Sequence, residues 1–315
     1  MSMSIDVVVP TYERWELTKS CLVHLARQTV PKTVIVADNG STDGTAESVR
    51  RFFPEVRLVE MGANLGFAAA CNRGAEAGTN EVIVLLNNDV EPRPDFLERL
   101  IEPLAADERV GSVAALLVRP NGRVIDSVGL TADLTLAGFP RLEGMRIETA
   151  RSPRPLLVGP SGGAAAYRRE AWEHVGGLDE SVLLYLEDLD FALRLRNHGW
   201  IAAAAPEAVG VHLGGATVGR RSAWQRRQMG FSRGYFLRRY GVLRSRAAPR
   251  ALATEVIVVM GDFVYSRDFA ALRGRLAGWR AGSGCRRHRS PKDALEREIG
   301  FIESLRRRRR SYAAT

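Results

Sequence analysis

Two short polar runs carry most of the chemistry this sequence offers. Asn87-Asn88-Asp89 follows the apolar run Val82 to Leu86, and Pro92 and Pro94 bar its continuation. A buried strand that ends in a carboxylate beside amides suits a hard divalent cation, Mg2+ or Mn2+, carrying a phosphate. Asn and Asp are also common turn formers, so the same residues read as a polar strand-to-loop turn. The second run is Glu187-Asp188-Leu189-Asp190, which follows Val182-Leu183-Leu184 and leads into Arg194. Glu187, Asp190 and Arg194 fall on one helix face, while Asp188 points elsewhere. Acidic residues at a helix start complement its dipole, but carboxylates this dense also suit a general base tuned by burial and neighbouring charge. His212 opens the glycine-rich His212-Leu213-Gly214-Gly215, where it is either a metal ligand or an exposed loop residue.

The elements that must hold these residues are legible in the apolar pattern. Strands are expected over Ser4 to Val9, broken by Pro10, and over Thr33 to Ala37, Val56 to Glu60, Val82 to Leu86 and Val110 to Val118. Helices over Trp15 to Gln28, Thr42 or Asp43 to Phe52, Gly66 to Ala77 and Phe96 to Ala106 alternate with them. That order, with short connections, predicts an α/β fold: a doubly wound, mostly parallel sheet flanked by helices. Pro10-Thr11-Tyr12-Glu13 and Asp38-Asn39-Gly40-Ser41 then follow the first and second strands and line the crevice where a nucleotide would lie. There an aromatic ring can stack on a base and a carboxylate can accept a ring N–H. The segment Asn64 to Asn72, which includes Gly66, brings a helix amino terminus and amides to the same place. Neither G-x-G-x-x-G nor a P-loop is present, which argues against dinucleotide enzymes and nucleoside-triphosphate hydrolases.

Further along, Asn121 to Pro155 reads as mobile loops and minor strands. Val158 to Tyr167 contains Gly162-Gly163, a helix starts near Arg169, Leu183 to Asn197 forms another, and Trp200 to Ala205 is a strand. Beyond Val218 the chain turns basic and helical. Residues 1–216 carry 21 Lys and Arg against 29 Asp and Glu, whereas residues 217–315 carry 24 against 7. Arg220 to Tyr240 and Thr254 to Phe269 are expected helices. Phe269, Leu272, Leu276 and Trp279 fall on one helical face edged by arginines, which fits either an interfacial helix or an appendage packed on the body. Arg286 to Lys292 and Arg306 to Arg310 read as solvated and flexible, and the charge makes an anionic membrane surface their expected partner. Three widely spaced cysteines give neither a disulfide framework nor a zinc pattern. With no signal peptide and no run of about 18 apolar residues, the expected location is cytoplasmic, peripheral on the inner face of the cell membrane.

Taken in order, VVVPTYER, VADNGSTDGT, NLGFAAACNRG, LLNNDVEPRPDFL, GGAAAYRREAWEHVGGLDE, LYLEDLDFALRLRNHGW and VHLGG resemble family-two glycosyltransferases of the GT-A fold, particularly the branch of bacterial rhamnosyltransferases. The resemblance spans roughly residues 4–240. It implies a GT-A catalytic domain over 1–218, with a nucleotide-sugar half to about 118 and an acceptor half after it, followed by the basic helical region 219–315. It also implies a nucleoside-diphosphate sugar donor, a divalent metal and inverting transfer of one sugar to an acceptor hydroxyl. Pro10, Thr11 and Tyr12, with Glu13 beside them, match the segment that holds base and ribose, and Asp38 matches the carboxylate that reads the pyrimidine. Gly66, Asn72, Asn87 and Asn88 belong with the donor. Asn87 and Asp89 stand where the family has Asp-x-Asp, so Asp89 is the expected metal ligand and His212 a second metal or diphosphate contact. Asp188 matches the catalytic base, with Glu187 and Asp190 in support, and Gly162 and Gly163 match the loop near the acceptor.

The donor class is a deoxythymidine or uridine diphosphate sugar, and a polyprenyl-diphosphate-linked saccharide would suit the basic region as acceptor. The competing readings are a sugar nucleotidyltransferase and a catalytically silent nucleotide-sugar-binding module. The first lacks its glycine-rich loop after the first strand, and the second sits badly with the retention of Asp89, Asp188 and His212. Nucleic acid is not an expected partner.

Overall fold

Val7, Val8 and Val9 have no solvent exposure, and the strand that holds them, β1 (Ile5–Thr11), lies inside the amino-terminal, parallel part of the sheet. A computed structural model describes residues 3–182, 184–214, 222–285 and 287–314. Leu183, Gly215, Arg220 and Arg286, included in the expectations above, lie outside the described residues. β1 pairs in parallel with β2 (Thr33–Asp38) on one side and β4 (Val82–Leu86) on the other, and β2 pairs with β3 (Arg57–Glu60). The helices α1 (Trp15–Ala26), α2 (Thr45–Phe52) and α3 (Phe67–Ala77) make the crossovers. Pro10 does not end β1 as expected. β4 pairs no further than Val8 with Leu85, so a residue without an N–H breaks no ladder on that side, and β1 follows β2 to the pair Thr11–Asp38.

The sheet continues through β5 (Val90–Pro92), β6 (Val110–Val118), β7 (Ile125–Ser127), β10 (Ala164–Arg168) and β11 (Ile201–His212), with β8 (Leu130–Ala132) and β9 (Gly138–Pro140) forming a separate hairpin. Its order is β3-β2-β1-β4-β10-β6-β11-β5, with β7 beside β6. β10, β5 and β7 run against the rest, giving a mixed, mostly parallel sheet. Helices α4 (Phe96–Ala106), α5 (Arg169–Val175) and α6 (Glu187–Asn197) cover it. The carboxyl ends of β1, β2, β4, β6 and β11 therefore share one edge. Because β10 is antiparallel, its amino end, just after Gly162-Gly163, comes to that same edge.

Three expectations need correction. Asn121 to Pro155 is packed rather than loose: Ile125, Val128, Asp133, Thr135 and Leu136 are fully buried, and Asp133 caps its own turn through Thr135. The strand after Trp200 runs to His212, so the histidine ends a strand instead of sitting in a loop, and it pairs with Val90. The basic region is helical as expected, in α7 (Ala223–Arg239), α8 (Ala248–Ser266) and α9 (Ala270–Ala281), but Arg306 to Arg310 fall in a further helix, α10 (Phe301–Ala314), rather than in a flexible run. The buried face of α9 is Ala271, Gly274 and Gly278 rather than the Phe269 stripe. Gly274 and Gly278 meet the backbone of α7 near Arg227 and Phe231, and Gly230 and Gly234 of α7 meet α9 in return. A methyl at any of the four would strike a facing carbonyl, so small residues let the two helices lie side by side. In α10, Arg307 pairs with Glu303, and Arg308 pairs with the nearly buried Glu255 of α8. Phe236, Leu237 and Tyr240 then pack with Leu130, Leu136, Leu189 and Leu193 in one core that joins the basic region to the chain between residues 119 and 218.

Candidate active site

A cavity of about 680 Å3 opens at the shared sheet edge, lined on one side by Pro10, Thr11, Tyr12 and Asn39 and on another by Asn87, Asn88 and Asp89. Gly66 and Phe67 form part of its wall, and Leu184, Ser222 and Trp224 close it. The strands fix the first set. Thr11 ends β1, and its hydroxyl bonds Thr18 and, with it, the amide of Asn88 at 3.0 Å. Asn39, part of the Asp38 to Ser41 run expected at the crevice but given no role of its own there, lines the cavity where Asp38 does not. Its side chain bonds the Asn64 side chain and the Gly66 carbonyl at 3.1 Å and accepts from the Leu65 amide at 2.8 Å. It thereby seats the loop that opens α3. Gly66 has φ 95°, which a side chain would resist.

Asp38 is buried next to this wall, where its carboxylate accepts from the hydroxyl and amide of Ser41. Burial pushes its pKa up against those bonds. Glu13 accepts from the amide and hydroxyl of Thr42, so it orders the loop after β2 and is not among the cavity's lining residues. Asn72 departs from expectation. It clamps both the amide and the carbonyl of Leu178, at 2.9 and 3.0 Å, and lines a separate cavity with Trp172, Gly177 and Arg194. The i, i+5 step from Phe67 to Asn72 carries it off the crevice-facing side of α3.

Asp89 is buried, and one of its carboxylate oxygens has no hydrogen-bond partner. That Oδ1 lies 3.4 Å from Nε2 of His212, whose Nδ1 is 2.8 Å from Asp126. β11 and β5 bring these together: His212 pairs with Val90, and the Leu213 amide donates to the Asp89 carbonyl. Asp126, on β7, was not anticipated, because nothing in the weakly patterned stretch around it announces a partner eighty-six residues away. Burial pushes His212 down, but the carboxylates of Asp126 and Asp89 outweigh it and hold the imidazole up to about 10. An orphaned carboxylate oxygen facing an imidazole that a second carboxylate orients is a donor set that fits a divalent cation. Among the described residues no group of three or more His, Cys, Asp or Glu is placed to hold a metal, so an ion here would need most of its ligands from phosphate and water.

Asp188 sits in the first turn of α6, and Tyr185 and Leu186 before it adopt φ 70° and 69° to make the turn. Its carboxylate accepts from the amides of Gly162 at 3.0 Å and Leu189 at 2.7 Å. Gly162 faces the Phe67 ring, and the neighbouring Gly163 carbonyl accepts from the Asn87 amide at 2.9 Å. The glycine pair therefore joins Asp188 to the Asn87–Asp89 stretch by two hydrogen bonds. Burial pushes Asp188 up while the two amides pull it down. Glu187 is buried with an unpartnered oxygen, and burial and the adjacent Asp188 both raise its pKa.

Asp190 faces away from the crevice. It is held by Arg194 at 2.7 Å, by the Tyr240 hydroxyl at 2.8 Å and by Arg239, so it anchors α6 to the helix after it. Tyr185 reaches Gln225 of α7 at 2.9 Å. Trp224, at the start of α7 and without an expected role, is a half-exposed wall of the cavity.

The profile described as Glycosyl transferase family 2 matches residues 6–176. The N-acetylglucosaminyl-diphospho-decaprenol L-rhamnosyltransferase of Mycobacterium tuberculosis is 31% identical over 249 residues, covering 71% of this chain and 80% of that protein. Validoxylamine A glucosyltransferase of Streptomyces hygroscopicus is 26% identical over 231 residues, 66% of this chain and 54% of the relative. Among solved structures, mannosyltransferase PcManGT from Pyrobaculum calidifontis, in complex with GDP-Man and Mn2+, aligns with a TM-score of 0.54 at 24% identity, over 89% of this chain and 76% of that one. S. aureus TarS 1–349 aligns at 0.52 and 17% identity, over 75% of this chain and 64% of its own. At these identities the structural likeness speaks for the fold.

Proposed function

We propose that this chain, which belongs to glycosyl transferase family 2, transfers one sugar with inversion from a nucleoside-diphosphate donor to a hydroxyl of a polyprenyl-diphosphate-linked saccharide. The observation that carries the reading is the Gly162-Gly163 bridge, which ties a carboxylate with a raised pKa to the Asp89 side of one cavity. The L-rhamnosyltransferase relative supports deoxythymidine-diphosphate rhamnose as donor and a cell-wall precursor as acceptor; a uridine diphosphate sugar is the alternative donor.

In this reading Pro10, Thr11, Tyr12 and Asn39 hold the nucleoside, with Asp38 behind them. Asp89 and His212 would hold Mg2+ or Mn2+, which supplies positive charge for the departing diphosphate. Asp188 takes the proton of the acceptor hydroxyl as that oxygen bonds to the anomeric carbon and the bond from that carbon to the diphosphate oxygen breaks. The amides of Gly162 and Leu189 orient the carboxylate. The lack of side chains at Gly162 and Gly163 lets this loop pack against Phe67 and Leu117 and reach Asp188, beside which the acceptor hydroxyl would be presented.

Asp188→Asn tests it. Transfer should fall by roughly 10²- to 10⁴-fold, while the melting-temperature shift on adding donor nucleotide and Mn2+ stays at the wild-type value. Loss of that shift together with transfer would remove Asp188 from the chemistry and leave it a structural role.

A further inference from the structure

The outward face of α8 is apolar along its whole length. Leu252, Val256, Met260 and Val264 follow one another at four-residue spacing and are 52, 61, 55 and 72% exposed. They form a single stripe on a 19-residue helix about 28 Å long. Ile257 and Phe263 widen it, and Phe263 stacks on the half-exposed Phe269 with ring centres 4.8 Å apart. The inward face is fixed by Ala251, Thr254 and Glu255, the last paired with Arg233, Arg275 and Arg308. The stripe is thus held outward by ion pairs beneath it. Exposed apolar surface of this extent marks an interaction site.

The surrounding charge identifies the partner. Residues 222–285 contain 12 Arg and only three acids; Glu255 is buried, Asp268 is paired with Arg226, and Asp262 of α8 is half-buried with a partner of its own. Arg267, Arg273 and Arg280 are exposed. A second copy meeting this face about a two-fold axis would bring one arginine rim against another. No helix among the described residues is long and apolar enough to cross a membrane, so the stripe fits a helix that lies on a bilayer. The stripe also ends near the active site: Asp268, beside Phe269, pairs with Arg226, and Trp224 two residues earlier lines the cavity.

We propose that α8 docks on an anionic bilayer, its stripe in the outer acyl region and Arg267, Arg273 and Arg280 against lipid phosphates. The mouth beside Trp224 then lies near the membrane surface. That orientation rests on the lipid-linked acceptor proposed above, whereas docking rests on α8 alone. Flotation of the full chain with acceptor-free phosphatidylcholine vesicles, with and without phosphatidylglycerol, tests the docking. Binding should need phosphatidylglycerol and weaken with salt. Val256→Asp combined with Val264→Asp should reduce it roughly tenfold or more, with the donor-induced thermal shift unchanged. Should that variant lose its fold, Arg273→Gln with Arg280→Gln serves instead and should weaken binding to the anionic vesicles. The proposal is overturned if the wild-type chain ignores both vesicles or if folded variants bind as well as wild type. A dimer in sedimentation that the aspartates dissociate, without any vesicle binding, also overturns it. Transfer to a lipid-linked acceptor is measured separately: docking without transfer counts against the acceptor, and transfer without docking against this proposal.

Discussion

Glu187 shows how a side chain next to the reactive one bears on both pH response and stability. Burial first, and the charge of Asp188 second, raise its pKa. A carboxyl raised by folding contributes stability that is fully present below the ordinary glutamate pKa of about 4.3 and lost as pH rises through the folded value. Glu187→Gln should therefore melt like wild type in strong acid but above it at neutral and alkaline pH, by on the order of 1 kcal/mol. Equal melting temperatures across that range would mean that Glu187 is not strained by its burial. Asp126 makes a different prediction, because it acts through His212. Asp126→Asn should raise the Mn2+ concentration needed for half-maximal thermal shift by roughly 10- to 100-fold; an unchanged midpoint would detach Asp126 from the metal. Asp89 and Asp188 stand out in the sequence because each follows an apolar run, and His212 because it opens a glycine-rich stretch; that Asp89 and His212 meet is visible only in the structure. Asn39 falls in a run expected at the crevice, but neither its bonds to the Asn64–Gly66 loop nor the place of Asp126 can be read locally, since both exist only across strands. Resemblance places Asp190 and Asn72 at the site, and helix phase turns them towards Tyr240 and Leu178 instead.

Elements were more legible than the contacts between them. Apolar runs locate β1 to β4, α1 to α4 and β6 within a few residues, because valine-rich buried strands and periodic helices leave local signals, whereas β5 is missed because it exists only by pairing with β11. The stretch from Asn121 to Pro155 leaves none: Arg141 is tied to carbonyls of Ser152 and Pro155, and Asp133 to Arg250 of α8. Glycines 230, 234, 274 and 278 are equally silent in a periodicity reading that weighs only large apolar residues. Glu255 of α8 illustrates what such contacts carry. Burial would raise its pKa, but Arg233, Arg308 and Arg275 outweigh that and hold it well below the usual carboxylate range. Its contribution is present above the unfolded glutamate pKa and lost only as pH falls through the much lower folded value. Glu255→Gln leaves three arginines crowded without their anion and should cost roughly 3–5 kcal/mol by urea unfolding. A loss below about 1 kcal/mol would show that the cluster is solvated enough to do without it.

At the scale of the whole molecule, the boundary near residue 218 suggested by charge and resemblance does not coincide with a gap in the core. Phe236, Leu237 and Tyr240 pack on Leu130, Leu136, Leu189 and Leu193, and Tyr240 and Arg239 satisfy Asp190 beneath the turn that carries Asp188. Residues 1–218 alone would uncover that surface and strand a buried carboxylate with Arg194 as its remaining partner. Three large apolar side chains at roughly 1.5–3 kcal/mol each, with a broken ion-pair network besides, amount to much of the 5–15 kcal/mol that holds a typical domain together. We therefore predict that residues 119–218 and the basic region unfold as one unit. A fragment ending at residue 218 should be aggregation-prone or melt far below the full chain, whereas removing only residues 301–315 should cost less. The donor-induced thermal shift separates the outcomes. If the 1–218 fragment unfolds cooperatively and binds donor nucleotide as the full chain does, the basic region is an appendage in the energetic sense. If it does not, the position of Asp188 depends on helices that contribute no atom to the reaction.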